Sequence, residues 1–145
     1  MELAEAREKW LGYEFDTAEF EVTRERILAY CEGCQETDPR FCDPQHPDFQ
    51  APPTFVAQFM GTRTLPEGFP RLGSRGFDAG KAVQSFAPVR PGDRLTGRSR
   101  IHDLYEKTGR SGPMFFIVHR MEFRNQRAEL VSVVDWRMVQ QPAEG

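Results

Sequence analysis

PMFFIVHRMEFR, residues 113 to 124, alternates without interruption: Phe115, Ile117, His119, Met121 and Phe123 share one face. Successive strand side chains point to opposite faces, so this period of two predicts a β-strand with that face on a core. Met114, Phe116 and Val118, on the other face, are apolar as well. One core needs only one apolar face, so these three predict a second buried surface. LVSVVDWRMV, residues 130 to 139, repeats the pattern with Leu130, Val134, Trp136 and Met138 on one side.

Working outward, AVQSFAPV and RLTGRSRIHDLYEK read as two further strands joined by the turn RPGD, where Pro91 and Gly92 supply the geometry. YEFDTAEFEV adds a half-exposed strand near the start. The expected strands are therefore 13–22, 81–89, 94–106, 113–124 and 129–139, with short turns that favour an antiparallel meander. The first dozen residues read as a short helix or a ragged lead-in. Thr23 caps a helix through RERILAYCEG, which sets Ile27, Leu28, Cys31 and Cys34 on one face. Residues 38–53 are too rich in proline for regular structure, and 61–80 read as a long Gly/Pro loop. TFVAQFMG, just after Pro52 and Pro53, is the place for a central helix. The fold class is α+β: one domain over 1–145, core 13–139, its sheet wrapped around that helix.

The 145 residues suffice for one hydrophobic core. Net charge is −3 with both signs interspersed, which argues against nucleic acid. No apolar run is long enough to span a membrane, and MELAEAREKW lacks the apolar centre of a signal peptide. Three cysteines do not make a disulfide framework, so reduced thiols in a cytoplasm are expected.

Two stretches carry a resemblance. FAPVRPGDRLTGRSRIHDLYEKTGRSG resembles the F-x-x-P-V-x-P-G-D-x-L strand–turn–strand of MaoC-type hydratases, which have a hot-dog fold. Its continuation to FRNQRAELV, with APPTF at 51–55, is similar to their non-catalytic relatives, the "FAS1-like" N-terminal dehydratase domains and A-type subunits. Active members carry a loop G-D-x-N-P-x-H-x-D. Laid on ETDPRFCD, Glu36 takes the place of the catalytic Asp, Asp38-Pro39 that of Asn-Pro, and Phe41 that of the catalytic His. Hydration needs a base for water and an acid for the α-carbon, and phenylalanine transfers no proton. The resemblance also puts Pro53 where a glycine N–H serves as oxyanion donor. Losing such a donor costs about two to four kcal/mol in the transition state.

The resemblance therefore implies an acyl-thioester-binding subunit of an (R)-specific enoyl or 3-hydroxyacyl-thioester hydratase, with no catalytic residue of its own. Its ligand would be an acyl-CoA or an acyl carrier protein thioester, with no cofactor. Its partner would be a catalytic MaoC-type chain, or a second copy of itself. Two alternatives stand beside this: a non-enzymatic acyl-CoA-binding homodimer, and a thioesterase using Glu36 or Asp38. Pro53, Thr54, Phe55, Phe59 and Phe86 are the candidate substrate-binding residues, although the three phenylalanines serve equally as core filling. Cys31, Cys34, Cys42 and His46 fit small buried thiols and a loop better than a metal site. His119 reads as a core or interface histidine and His102 as solvated. Arg71 and Arg75 lie in a glycine-rich loop, either free there or touching coenzyme A phosphates.

Overall fold

The computed structural model describes residues 2–142; the ends of the expected 1–145 domain lie outside the described residues. Five strands form one antiparallel sheet: β1 Glu14–Glu21, β2 Arg75–Ser85, β3 Arg94–Gly109, β4 Gly112–Arg124 and β5 Leu130–Gln141. Their order is β1-β3-β4-β5-β2. The helices are α1 Leu3–Trp10, α2 Arg24–Gly33 and α3 Pro39–Cys42, with a 3₁₀ segment at Pro53–Gln58.

The alternation in β4 works as expected: Ile117, His119, Met121 and Phe123 are all buried. On its outer face Met114 and Phe116 are half-buried, and β4 is an inner strand. Phe116 stacks on Tyr105 at 4.8 Å, and the Arg120 guanidinium holds both oxygens of Asp135 at 2.7 and 2.8 Å. Val118 is buried there.

Two covers close the inner face. At one end, Phe55, Phe123, Ile27, Leu95, Phe41 and Val134 join one cluster beneath α2, α3 and the 3₁₀ segment. At the other, Ala6 and Trp10 of α1, one helical turn apart, pack on Ile101, Leu104 and Ile117. Leu65, Phe69 and Leu72 of the long loop lie against this second cluster.

Besides α3, a helix inside the proline-rich stretch expected to be irregular, and β2, which pairs with β5 rather than continuing the meander beside β3, three expectations need correction. The central helix at TFVAQFMG is only the six-residue 3₁₀ segment, and the longest helix is α2. Prolines 52 and 53 cannot donate, and the segment closes through i→i+3 bonds such as Phe59 N–H to Val56 O at 3.1 Å. Just beyond it the Asp16 carboxylate captures the Thr62 hydroxyl at 3.0 Å and the Arg63 N–H at 3.1 Å, drawing the chain onto β1. Secondly, β2 begins at Arg75, inside the expected loop, and ends before Phe86. Its glycines conceal it: Gly80, at φ +93°, sits in a bulge held by Asp78. Beyond Ser85, the Phe86 N–H still bonds Val131 O at 2.9 Å, but Pro88 stops the ladder. Thirdly, Cys34 is exposed at the C-cap of α2, whereas Cys31 is buried.

Candidate functional site

Residues 36–43 form a tightly self-bonded corner. One Glu36 oxygen accepts the N–H groups of Thr37 and Asp38, both at 3.1 Å. Asp38 caps α3 by accepting the Arg40 N–H at 3.0 Å, with Pro39 at the first helical position. Phe41 is 8 % exposed and belongs to the main core, with the Arg40 guanidinium 4.8 Å from its ring. The thiols complete the corner: Cys31 donates to Phe41 O at 3.2 Å and Cys42 to Glu36 O at 3.0 Å. Burial, with Cys42 close by, pushes the Cys31 thiol up to about 12, so it stays protonated and unreactive. Both carboxylates are thus engaged with local backbone, and the position between them and Asp43 holds a buried hydrocarbon.

Of the other candidates, Pro53 opens the 3₁₀ segment and Thr54 shares a short hydrogen bond with Tyr30. Phe55 is fully buried, edge-on to Tyr30 at 5.7 Å and to Phe59 at 5.2 Å. Phe59 stacks on Phe20 at 4.7 Å. Phe86 is not part of this group; it is 58 % exposed beyond the end of β2. Arg71 bonds the carbonyls of Gly73 and Ser74, both at 3.1 Å, and so fastens its own loop. His102 is exposed at a bulge in β3.

An open cleft of about 590 Å³ lies between α2 and the end of the 3₁₀ segment, walled by Phe20, Arg26, Ala29, Tyr30, Gln58, Phe59 and Met60. Phe20, Ala29, Phe59 and Met60 give it apolar wall and Arg26, Tyr30 and Gln58 polar groups, a mixture that suits an acyl chain carrying a polar head. Phe20, Arg26 and Tyr30 were not singled out in the sequence. Thr23 places the last two: as N-cap of α2 it accepts the Arg26 N–H at 3.1 Å and sets the helix phase.

Beyond Phe59 and Met60 lies a second, much smaller cavity of about 10 Å³, lined by those two, Lys81, His119, Met121, Val134 and Trp136. His119 is 4 % exposed, and neither of its ring nitrogens has a hydrogen-bond partner. Burial, reinforced by the Lys81 ammonium, lowers it to about 4 despite Asp16 and Asp135, so the ring is neutral at pH 7. Lys81 lies on exposed edge strand β2, but its ammonium tucks inward to donate to Ala57 O at 2.7 Å. That partial burial lowers its pKa, against a raising contribution from Asp78. Asp78 in turn accepts the Trp136 indole N–H at 2.9 Å. Lys81 and Trp136 are ladder partners across β2 and β5, a pairing that no local sequence pattern announces.

Comparisons with known proteins agree with this geometry. The UPF0336 protein of Streptomyces griseus is 31% identical over 140 residues, covering 88% of this chain and 89% of its own. The HadBC (3R-hydroxyacyl-ACP dehydratase) complex of Mycobacterium tuberculosis contains a chain that superposes with a TM-score of 0.68 at 22% identity, over 89% of this chain and 96% of that one. A chain of the ChsH1-ChsH2 complex, also from M. tuberculosis, gives 0.67 at 17% identity, over 99% and 91%. Such distant likenesses establish the fold, a hot-dog domain of the MaoC-like dehydratase type. The model of the FAS1-like dehydratase domain region matches residues 9–134, and the chain belongs to that family.

Proposed function

We propose that this chain is the acyl-thioester-binding subunit of an (R)-specific enoyl-thioester hydratase or 3-hydroxyacyl-thioester dehydratase, and that a separate MaoC-type chain supplies the catalytic Asp and His. The observation that carries this is the state of the 36–43 corner. In hydration, water adds its hydroxyl to the β-carbon while a proton reaches the α-carbon, and an acid and a base must share one water. Here Phe41 is packed in the core and offers no proton, while Glu36 and Asp38 hold backbone N–H groups. The same engagement argues against a thioesterase that uses either carboxylate.

The cleft beside Tyr30 supports the binding half of the reading, with Arg26 and Gln58 at its rim to meet a polar carrier. Pairing is supported by the sheet's edges. β2 is an outer strand of eleven residues whose free side offers unpaired backbone groups, and Phe77 on it is 50 % exposed. Long edges of this kind are normally paired or protected. Both M. tuberculosis neighbours are complexes of unlike chains, which favours an unlike partner over a second copy. The test is crotonyl-CoA hydration by this chain, by a MaoC-type partner carrying the Asp and His, and by the mixture. Activity that rises only on mixing, with a stable heterodimer by light scattering, supports the reading. Binding of acyl-CoA by a homodimer that never changes a partner's rate would replace it with a non-enzymatic binding role.

A further inference from the structure

Resting on the acyl-thioester reading, we propose that the cavity beside His119 is a subsite for one oxygen atom, a hydroxyl or carbonyl carried on the remote part of an acyl chain that lies in the Tyr30 cleft. The first observation is the unmet polarity of His119. A neutral imidazole has one donor and one acceptor, and at 4 % exposure both are idle. Buried polar side chains in native proteins nearly always have a partner, and an idle pair calls for a specific one.

The second is size. A cavity of about 10 Å³ admits a single oxygen and no larger group. Its remaining walls are apolar except for the Lys81 ammonium, so its polar lining is one neutral ring and one cation. That combination suits an uncharged oxygen, which can accept from the ammonium and meet one ring nitrogen, a carbonyl by accepting from its N–H and a hydroxyl by accepting or donating.

The third is access. Phe59 and Met60 wall both this cavity and the larger cleft. Met60 is 39 % exposed and unbranched, and a thioether side chain of this kind adapts readily to what lies beside it. A chain in the cleft therefore reaches His119 once Met60 swings aside. A plain alkyl end placed there would leave both ring nitrogens idle, whereas an oxygenated one would satisfy the nitrogen that faces it.

The experiment compares binding of even-numbered saturated acyl-CoAs, from hexanoyl to dodecanoyl, with their ω-hydroxy counterparts, by calorimetry on the full chain. One net hydrogen bond corresponds to about fivefold tighter binding. An ω-hydroxy chain of one length is expected to show that advantage, to shift the His119 ring-nitrogen resonances, and to lose the advantage in His119→Phe. Should that variant not fold, the resonance shift in the unaltered chain decides the matter. Equal affinities across the series with unmoved His119 resonances would mean that the cavity holds a water only, and would overturn the subsite while leaving the acyl-thioester reading intact. A preference that persists in folded His119→Phe would also overturn it. If neither series binds, the subsite is overturned, and the acyl-thioester reading is decided separately by the hydration assay with the partner.

Discussion

The two ends of the inner sheet face are built differently. Beneath α2, α3 and the 3₁₀ segment, an aromatic cluster around Phe55 and Phe123 fills the space, and none of its members has an idle buried polar side-chain atom. Towards α1 and the long loop, packing is assembled from Ala6, Trp10 and loop residues. The idle buried atoms among the described residues are Trp10 Nε1, Ser99 Oγ and the two nitrogens of His119, all outside the aromatic cluster. An end that is full and satisfied serves stability. His119 and Ser99 belong to neither cluster, and unmet polarity at the border of the aromatic one gives up some stability, as sites for ligands commonly do. The corner at 36–43 belongs to the first kind.

The comparison breaks most sharply at Phe55. Phe55→Ala removes a fully buried ring from the satisfied end and is expected to lower unfolding free energy by about 3–5 kcal/mol, read by urea denaturation. A loss under 1 kcal/mol would mean that this end is not the stability core.

The second probe, His119, belongs to neither cluster and lies beside Phe59, Met121 and Val134 of the aromatic one. His119 is lowered to about 4 in the folded state against 6.5 when free, so the unfolded chain takes up its proton first as pH falls. Stability from this group is complete above pH 6.5 and is lost between there and pH 4, by about 3 kcal/mol at about 1.4 kcal/mol per unit. Of the charged groups that act on the ring, Lys81, Asp16 and Asp135, only the Lys81 ammonium adds to the lowering. His119→Leu is expected to flatten the stability–pH curve in that window. An unchanged curve would show that the ring is already paired or hydrated.

A smaller effect tests the hinge between the ends. A Cβ at Gly61 would meet the Asp16 carboxylate at 2.1 Å, so Gly61→Ala must displace the group that anchors Thr62 and Arg63. The expected cost is about 1–3 kcal/mol in a denaturant series. Asp16→Ala should reproduce most of it without steric conflict.

Legibility in the sequence follows the same divide. Strands β3, β4 and β5 were readable because alternation is local, and the expected and observed spans differ by at most three residues at either end. The start of β2 was hidden because RGFDAGKAV carries two glycines and a bulge, which erase the period of two. The helix at TFVAQFMG was overestimated because what shortens it, the Asp16 carboxylate, lies 45 residues before Gly61 in the chain. Glu36, Asp38 and Phe41 fall in one corner because they are neighbours in sequence. Phe86 was grouped wrongly with Phe55 and Phe59 on composition alone, and the Lys81–His119–Trp136 cavity went unseen because three separate strands build it.

That the 36–43 corner carries no catalysis is tested most directly by the crotonyl-CoA hydration rate of the purified chain alone, beside its Glu36→Gln variant. With Phe41 in the core and Glu36 bonding Thr37 and Asp38, both proteins should leave the rate at its uncatalysed level, and the substitution should only loosen the 36–43 corner. Turnover by the unaltered chain that Glu36→Gln abolishes, with the variant still folded, would contradict the account.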